Sequence, residues 1–569
     1  MPYVELHCHS AYSFLDGASL PEELAVRAAE LGYPALGLTD HDGVGGAMEH
    51  VHACRGLGLR GLAGAEITVG SSTADPDRET TASRGSWSHG RGSTHPPHLD
   101  PASAPPGGFH VTVLVAEPVG WRNLCRLLTI AHRHTRDGPQ RSALPPAVSL
   151  AELEAHAEGL ICLSGCARDG ALARPLEAGQ GAIAEARGRR LLGAFGPERF
   201  RVELQRPLWR RDRARNRALA QLAERLGVPT VATGNVHAHS PARARLQDAL
   251  SAVRLGGGLD QTEPRRRGNH AHLLLDPTAA AARFADHPEA VAETERIAER
   301  LEFDLASDLG YRYPGAEDEH ADRDLAELCR QRFAGRYDGT PERAEAEDRL
   351  AEELRLIREL GLSGFFLLHH DLLELAAEVA VEVRGPSAAR RLLPPGRGRG
   401  SSVSSVVCYL TGLSHVDPVR NQLFLGRFLN DEITALPDID LDFPRDVREV
   451  LIPRIHERYG HERSALVAAV NCYRSRGAVR DLGKALGLPA GEIERVARSV
   501  EIHADPAQVA RDVASAIGAE RAASGRWKWL IELAREAWQL PRHLSQHPGG
   551  MVLATQPLVD VCPVQPAAM

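Results

Sequence analysis

Apolar positions in the first 70 residues fall into short blocks separated by polar, helix-compatible stretches. Val4-Glu5-Leu6-His7-Cys8-His9 reads as the end of a strand. Ser19-Leu20-Pro21-Glu22 opens a helix: Ser19 is placed to cap it, Glu22 to complete a capping box, and Pro21 needs no amide partner in a first turn. Leu24, Ala28 and Leu31 then recur at helical spacing, and Gly32 ends the run. Ala35-Leu36-Gly37-Leu38-Thr39 is a second apolar block, which delivers Asp40-His41-Asp42 to its C-terminal end. Phe109–Val115, Gly159–Ser164, Phe200–Leu204 and Pro229–Thr233 repeat the theme. Repeated strand–loop–helix units predict an α/β barrel or sheet whose site lies at the strand ends.

The pattern breaks twice. Residues 71–108 are rich in Ser, Thr, Gly, Pro and Asp and nearly free of apolar side chains, which predicts a disordered surface insertion. Its histidines His89, His95 and His98 read as solvated loop residues. From about 286 to 380 the period becomes helical, with long Ala/Glu/Arg segments. Residues 384–400 form a Pro/Gly/Arg-rich connector. A mixed α/β stretch follows to 445, then mostly helices to 540.

A chain of 569 residues exceeds one hydrophobic core and predicts several domains. No apolar run approaches the roughly 20 residues of a membrane helix, and the N-terminus has no secretory pattern. Nine cysteines form no regular framework, so a reducing, cytoplasmic setting is expected. The formal net charge of −8 means that any nucleic-acid partner must be held by local basic patches.

Two constellations carry chemistry. His7 and His9 lie two apart on a strand and share a face. With Asp16, His41, Glu66, His110, Cys166 and His237 near successive strand ends, they assemble imidazole, carboxylate and thiolate donors suited to a multinuclear zinc or manganese site. Further on, Pro437-Asp438-Ile439-Asp440-Leu441-Asp442-Phe443 alternates with period two. Its three carboxylates share one face at about 6.6–7 Å spacing, a platform for two Mg²⁺ ions. Gly396-Arg397-Gly398-Arg399-Gly400-Ser401 lies upstream and precedes a small-residue helical pattern from Ser402 to Leu410, which predicts backbone amides free to meet phosphates. Downstream, Arg474 precedes Arg476, Arg480 and Lys484, whose spacing makes a helical basic stripe; it reads as a solvated face or as a phosphate-backbone contact.

ELHCHSAYSFLDGAS and LTDHDGV, with the later single ligands, resemble the polymerase and histidinol phosphatase (PHP) domain, in particular the one fused to bacterial family C DNA polymerases. GRGSSVSSVVCYLTGL, FLNDEITALPDIDLDF, CYRSRGAVRDLGKALGL and HLSQHPGGMVLA are similar to the palm and thumb of those polymerases, the polymerase III alpha class, in the family's order; the wording is nearest the error-prone branch. The resemblance implies a (β/α)7-type PHP barrel over 1–275, a polymerase-beta-like nucleotidyltransferase palm over 276–445 with its return at 541–569, and a helical thumb over 446–540. It implies PHP metals, Zn²⁺ or Mn²⁺, on His7, His9, Asp16, His41, Glu66, His110, Cys166 and His237. It implies palm Mg²⁺ on the catalytic Asp438 and Asp440, and triphosphate contacts from Gly398, Gly400 and Ser401. Primer-template DNA and deoxynucleoside triphosphates are the implied partners, with other lesion-bypass or replication proteins beside them.

The sequence departs from the family pattern at two places. Asn235-Val236-His237 stands where the family expects Asp-x-His, which removes one negative charge from the metal set. The third palm carboxylate and the fingers, expected beyond the palm return, do not precede Met569, so a truncated frame and a split polymerase both remain open. Three readings follow: template-directed DNA synthesis in lesion bypass, with this chain inactive alone; a PHP-type metal-dependent phosphoesterase or 3′–5′ exonuclease; or a non-catalytic DNA-binding fragment.

Overall fold

The computed structural model describes residues 3–70, 104, 107–135, 145–386, 396–430, 439–501 and 505–566. Asp438, most of the 71–108 insertion and the 387–395 stretch lie outside the described residues. The chain divides into two units: Met1–Gly310 with Ala468–Gln546 and Val559–Met569, and Tyr311–Val467 with His547–Leu558.

The first unit is organised by a six-stranded sheet: β1 (Ala35–Leu38), β2 (Arg60–Val69), β3 (Phe109–Val115), β4 (Leu160–Leu163), β5 (Phe200–Gln205) and β6 (Thr230–Thr233), paired in that order. Nearly every residue in these strands is buried, as expected for strands covered on both faces. The segment 4–9 joins the two ends of the sheet. Glu5 bridges Leu36 of β1, and Cys8 bridges Val236 just beyond β6, both parallel. The sheet therefore curls into a seven-membered barrel. One strand is reversed: β3 runs antiparallel to both β2 and β4.

The lower interior of the barrel is apolar. Val4, Leu6, Leu62, Leu114, Ile161, Leu163 and Val231 pack there with Ile297, Ala298 and Leu301. The last three come from the helix Pro288–Arg300 and its C-cap, and Thr294 of that helix accepts a hydrogen bond from the Val4 amide at 3.1 Å. This packing keeps residues 276–310 in one unit with the barrel, whereas the resemblance implies a palm that begins at 276.

The helices Ser475–Ala485, Ala490–Ser499, Pro506–Ile517 and Gly525–Glu536 also belong to this unit. Leu482, Val479, Val496, Trp527 and Leu530 form one buried cluster with Ala11, Ala18, Ala238, Leu246 and Leu250 of the barrel. Helices expected to form a thumb thus share a core with the loops that carry the candidate donors. Truncating Leu482, which is fully buried, to Ala should cost about 2–5 kcal/mol. The shared core predicts that barrel and helices then melt earlier in one transition; a barrel signal that stays put while the helices melt would contradict it.

The second unit packs the helices Ala321–Tyr337, Arg343–Glu359 and Ser363–Arg384 around the short helix Val406–Thr411, with Leu325, Ile357, Phe366, Val407 and Leu410 fully buried. Beside it, β7 (Arg397–Arg399) pairs antiparallel with β8 (Asp440–Asp442). A ribbon of β9 (Ser464–Cys472) and β10 (Pro541–Leu553) carries the chain from one unit to the other. β9 interrupts the mostly helical run expected after 446.

Candidate functional site

At one end of the barrel the expected donors converge. His7, His9, Asp16, Glu66, His110 and His237 are all within 1% of complete burial. Glu66 is their hub. Its Oε2 lies 2.9 Å from His41 Nδ1 and 3.6 Å from His9 Nε2; its Oε1 lies 3.7 Å from His7 Nε2 and 3.6 Å from His110 Nδ1. Cys166 Sγ is 4.0 Å from His110 Nδ1. His237 Nε2 lies 3.1 Å from Asp16 Oδ2, and His41 Nε2 lies 3.5 Å from the same oxygen. His110 reaches this end because β3 is reversed: it sits at the start of its strand, opposite Thr68 of β2, where the parallel strands present their C-terminal ends.

Other residues, not singled out by sequence, hold these ligands. His7 Nδ1 meets Glu203 Oε1 at 2.7 Å, so its Nε2 points into the cluster, an arrangement typical of carboxylate-oriented metal-binding histidines. Glu203 had a signal: Arg201, Glu203 and Gln205 place polar groups at alternate positions of an otherwise apolar, buried strand. Asp40 is not turned to the cluster. It accepts hydrogen bonds from Ser10 N, Ser10 Oγ and Ser13 Oγ, all at 2.7 Å, and so fixes the loop after His9. Ser19 pairs with His239 instead of capping a helix; the helix starts at Pro21, and Glu23 rather than Glu22 accepts the Leu20 amide. Asn235 adopts φ 49°, and its buried Oδ1 has no hydrogen-bond partner.

The donor set fits divalent transition-metal ions. Three groups, His9–His41–His237, His7–His9–Glu66 and His41–Glu66–His110, each bring their ligand atoms within 4.8 Å of one another. Glu66 Oε1 and His110 Nε2 are buried without hydrogen-bond partners. Imidazole and carboxylate donors suit zinc or manganese, and bound ions would polarise a phosphate and activate water there. Burial lowers the His41 pKa, but the charges of Glu66 and Asp16 outweigh it and raise it to about 9. A metal must displace that proton, so affinity should strengthen by up to about tenfold per pH unit below pH 9 for each proton released. Calorimetry in buffers of differing ionisation enthalpy should detect the release; affinity that is flat from pH 6 to 9 would refute it.

In the second unit the Gly/Arg turn and the carboxylate strand lie side by side. Gly398 pairs with Leu441 and Arg399 with Asp440. Arg399 Nε lies 3.6 Å from Asp440 Oδ2 and 3.2 Å from Asp442 Oδ2, so both carboxylates share its face. Gly398 is required by space: a Cβ there would sit 2.2 Å from the Leu413 carbonyl oxygen, which accepts the Gly398 amide at 2.8 Å. That amide is therefore committed to the fold. Gly400 has φ +75°, a left-handed turn that opens a 3₁₀ segment through Ser401 to Ser404. The helix expected from Ser402 starts only at Val406. Its first amides are also committed, because the buried Glu353 carboxylate accepts from Ser405 Oγ, Val406 N and Val407 N at 2.7–3.1 Å.

The basic stripe lies on the helix Ser475–Ala485 with its N-cap Arg474. Arg474 stacks over Trp538, Arg476 Nε donates to the Val500 carbonyl at 3.0 Å, and Arg480 pairs with Glu494 at 2.9 Å. Lys484 closes the stripe in the last turn.

The PHP domain model matches residues 5–207, and the model of the bacterial DNA polymerase III alpha NTPase domain matches residues 323–569. An error-prone DNA polymerase of Nocardia farcinica is 35% identical over 591 residues, covering all of this chain and 49% of that protein. Those of Mycolicibacterium paratuberculosis and Symbiobacterium thermophilum are 36% and 34% identical, again across the whole chain and over 47% and 49% of their own lengths. The chain spans about half the length of the curated relatives it matches. Among the described residues, no helix is long and apolar enough to cross a membrane.

Proposed function

We propose that this chain supplies the PHP and palm portions of an error-prone DNA polymerase. The observation that carries the reading is the pairing of β7 with β8, which sets the Gly/Arg turn against the carboxylate strand. In the reaction a primer 3′-hydroxyl attacks the α-phosphorus of a deoxynucleoside triphosphate, and pyrophosphate leaves. Asp440, with Asp438, would hold Mg²⁺, whose preference for oxygen ligands fits an all-carboxylate set; the metal supplies charge stabilisation at the attacking and leaving oxygens. Arg399 stands beside the Asp440 and Asp442 carboxylates and would neutralise triphosphate oxygens. The Gly400 turn would set Ser401 against the same phosphates. Primer-template DNA would run along the helix bearing Arg474, Arg476, Arg480 and Lys484. With three of the four already engaged within the protein, that stripe should contribute a modest, salt-sensitive share of the affinity.

A second reading has its own support in the three donor groups of the barrel: a Zn²⁺- or Mn²⁺-dependent phosphodiesterase, weakened by the neutral Asn235. The test joins this chain to the second half of a curated relative and follows extension of a primed template. Template-dependent extension that stops on Mg²⁺ chelation is expected. A folded fusion that binds the DNA and does not extend it would overturn the polymerase reading.

A further inference from the structure

The Asp16–His237 corner of the cluster differs from the rest. His237 Nδ1 donates to the Asn235 carbonyl at 2.9 Å, so the lone pair lies on Nε2. That nitrogen is 3.1 Å from Asp16 Oδ2. An acceptor nitrogen and a carboxylate oxygen this close repel unless a cation or donor lies between them. The donor present is a side chain: Arg267 Nη2 lies 2.7 Å from Asp16 Oδ2 and also donates to His237 Nε2. Arg254 Nη2 takes the other oxygen of Asp16 at 3.1 Å. The side chains of Arg254 and Arg267 are 5% and 10% exposed.

We propose that Arg267 is a built-in cation that occupies the Asp16–His237 position in place of a metal ion, and so limits the barrel to the positions around Glu66. The proposal rests on the reading that the donor cluster binds divalent metal. Two guanidinium groups already overcompensate the single Asp16 carboxylate. A divalent ion beside Arg267 Nη2 would bring like charges within a few ångströms inside a buried site, where Coulomb repulsion is poorly screened. Asn235 works in the same direction, since a neutral amide stands one residue from Val236, which bridges the strand of His7 and His9. The Glu66 positions are different. His7, His9 and His110 each lie within 3.7 Å of a Glu66 oxygen, and Glu66 Oε1 is buried without a hydrogen-bond partner.

The experiment counts metal. The full chain, Arg267→Gln, Asp16→Asn and the double variant are loaded with Mn²⁺ or Zn²⁺ alone, freed of excess ion, and measured by elemental analysis on the folded, monodisperse fraction. Arg267→Gln should gain about one equivalent over the parent, because its amide brings no charge and Asp16 and His237 regain their acceptor atoms. Asp16→Asn should leave the parent's metal content unchanged, since Asp16 is committed to the arginines. In the double variant the gained equivalent should disappear. The Asp16→Asn arm does not depend on Arg267→Gln folding. Loss of an equivalent in Asp16→Asn alone, or no gain in Arg267→Gln, overturns the role of Arg267 and leaves the metal reading standing. A parent chain that retains no metal overturns both.

Discussion

Glu66→Gln is expected to abolish metal retention by the barrel. Four imidazoles, those of His7, His9, His41 and His110, lie within 3.7 Å of one or other Glu66 oxygen. Glu66 also belongs to two of the three donor groups. Gln keeps the volume, removes the charge and replaces one of two acceptor oxygens with a donor. Changes in groups that merely orient a ligand typically cost about 10–100-fold in metal affinity, so loss of this shared ligand should exceed about 100-fold. Competition against a chromogenic chelator, with elemental analysis after dialysis, reads the effect. Parent-like metal content in the variant would show that the hub lies elsewhere.

Asp440→Asn and Asp442→Asn should separate sharply in primer extension by the fusion described above. Both carboxylates lie on one face of β8 within reach of Arg399, so position alone does not distinguish them. The family resemblance assigns the metal role to Asp440 and its partner Asp438. On that assignment, neutralising Asp440 would remove charge where the transferring phosphoryl group is stabilised, and a loss of at least about a thousandfold in the single-turnover rate is expected. Asp442, 64% exposed, should lose no more than a few-fold. Affinity for primed template should be nearly unchanged in both, which separates chemistry from binding. Equal losses, or retained extension in Asp440→Asn, would remove Asp440 from the catalytic centre.

Much of the barrel is legible in sequence because its strands are short, apolar and covered on both faces. Ala35–Leu38, Phe109–Val115 and Phe200–Gln205 coincide with the apolar blocks to within a residue. Strand direction is not legible: nothing in Phe109–Val115 announces that β3 is reversed, although that reversal brings His110 to Glu66. Local capping chemistry was misplaced by one residue, because Ser19 finds a better partner in His239, more than 200 residues away. Glu353 carries no local mark for a similar reason, lying 53 residues before the helix start it caps. Glu203 was visible as a charge in a buried strand. Arg267 was not, since one arginine in Arg265-Arg266-Arg267 carries no periodic mark.

The apolar cluster that joins Leu482, Trp527 and Leu530 to Ala11, Ala18 and Leu246 bears on how this lineage evolves. A mutation that removes a candidate donor such as Glu66 or His110 leaves that cluster untouched, so selection for a folded chain would keep the barrel whether or not those donors hold metal. A deletion of the barrel, in contrast, strips the helices of their inner face and exposes them to aggregation and proteolysis. Persistence of the barrel is therefore expected from folding dependence alone.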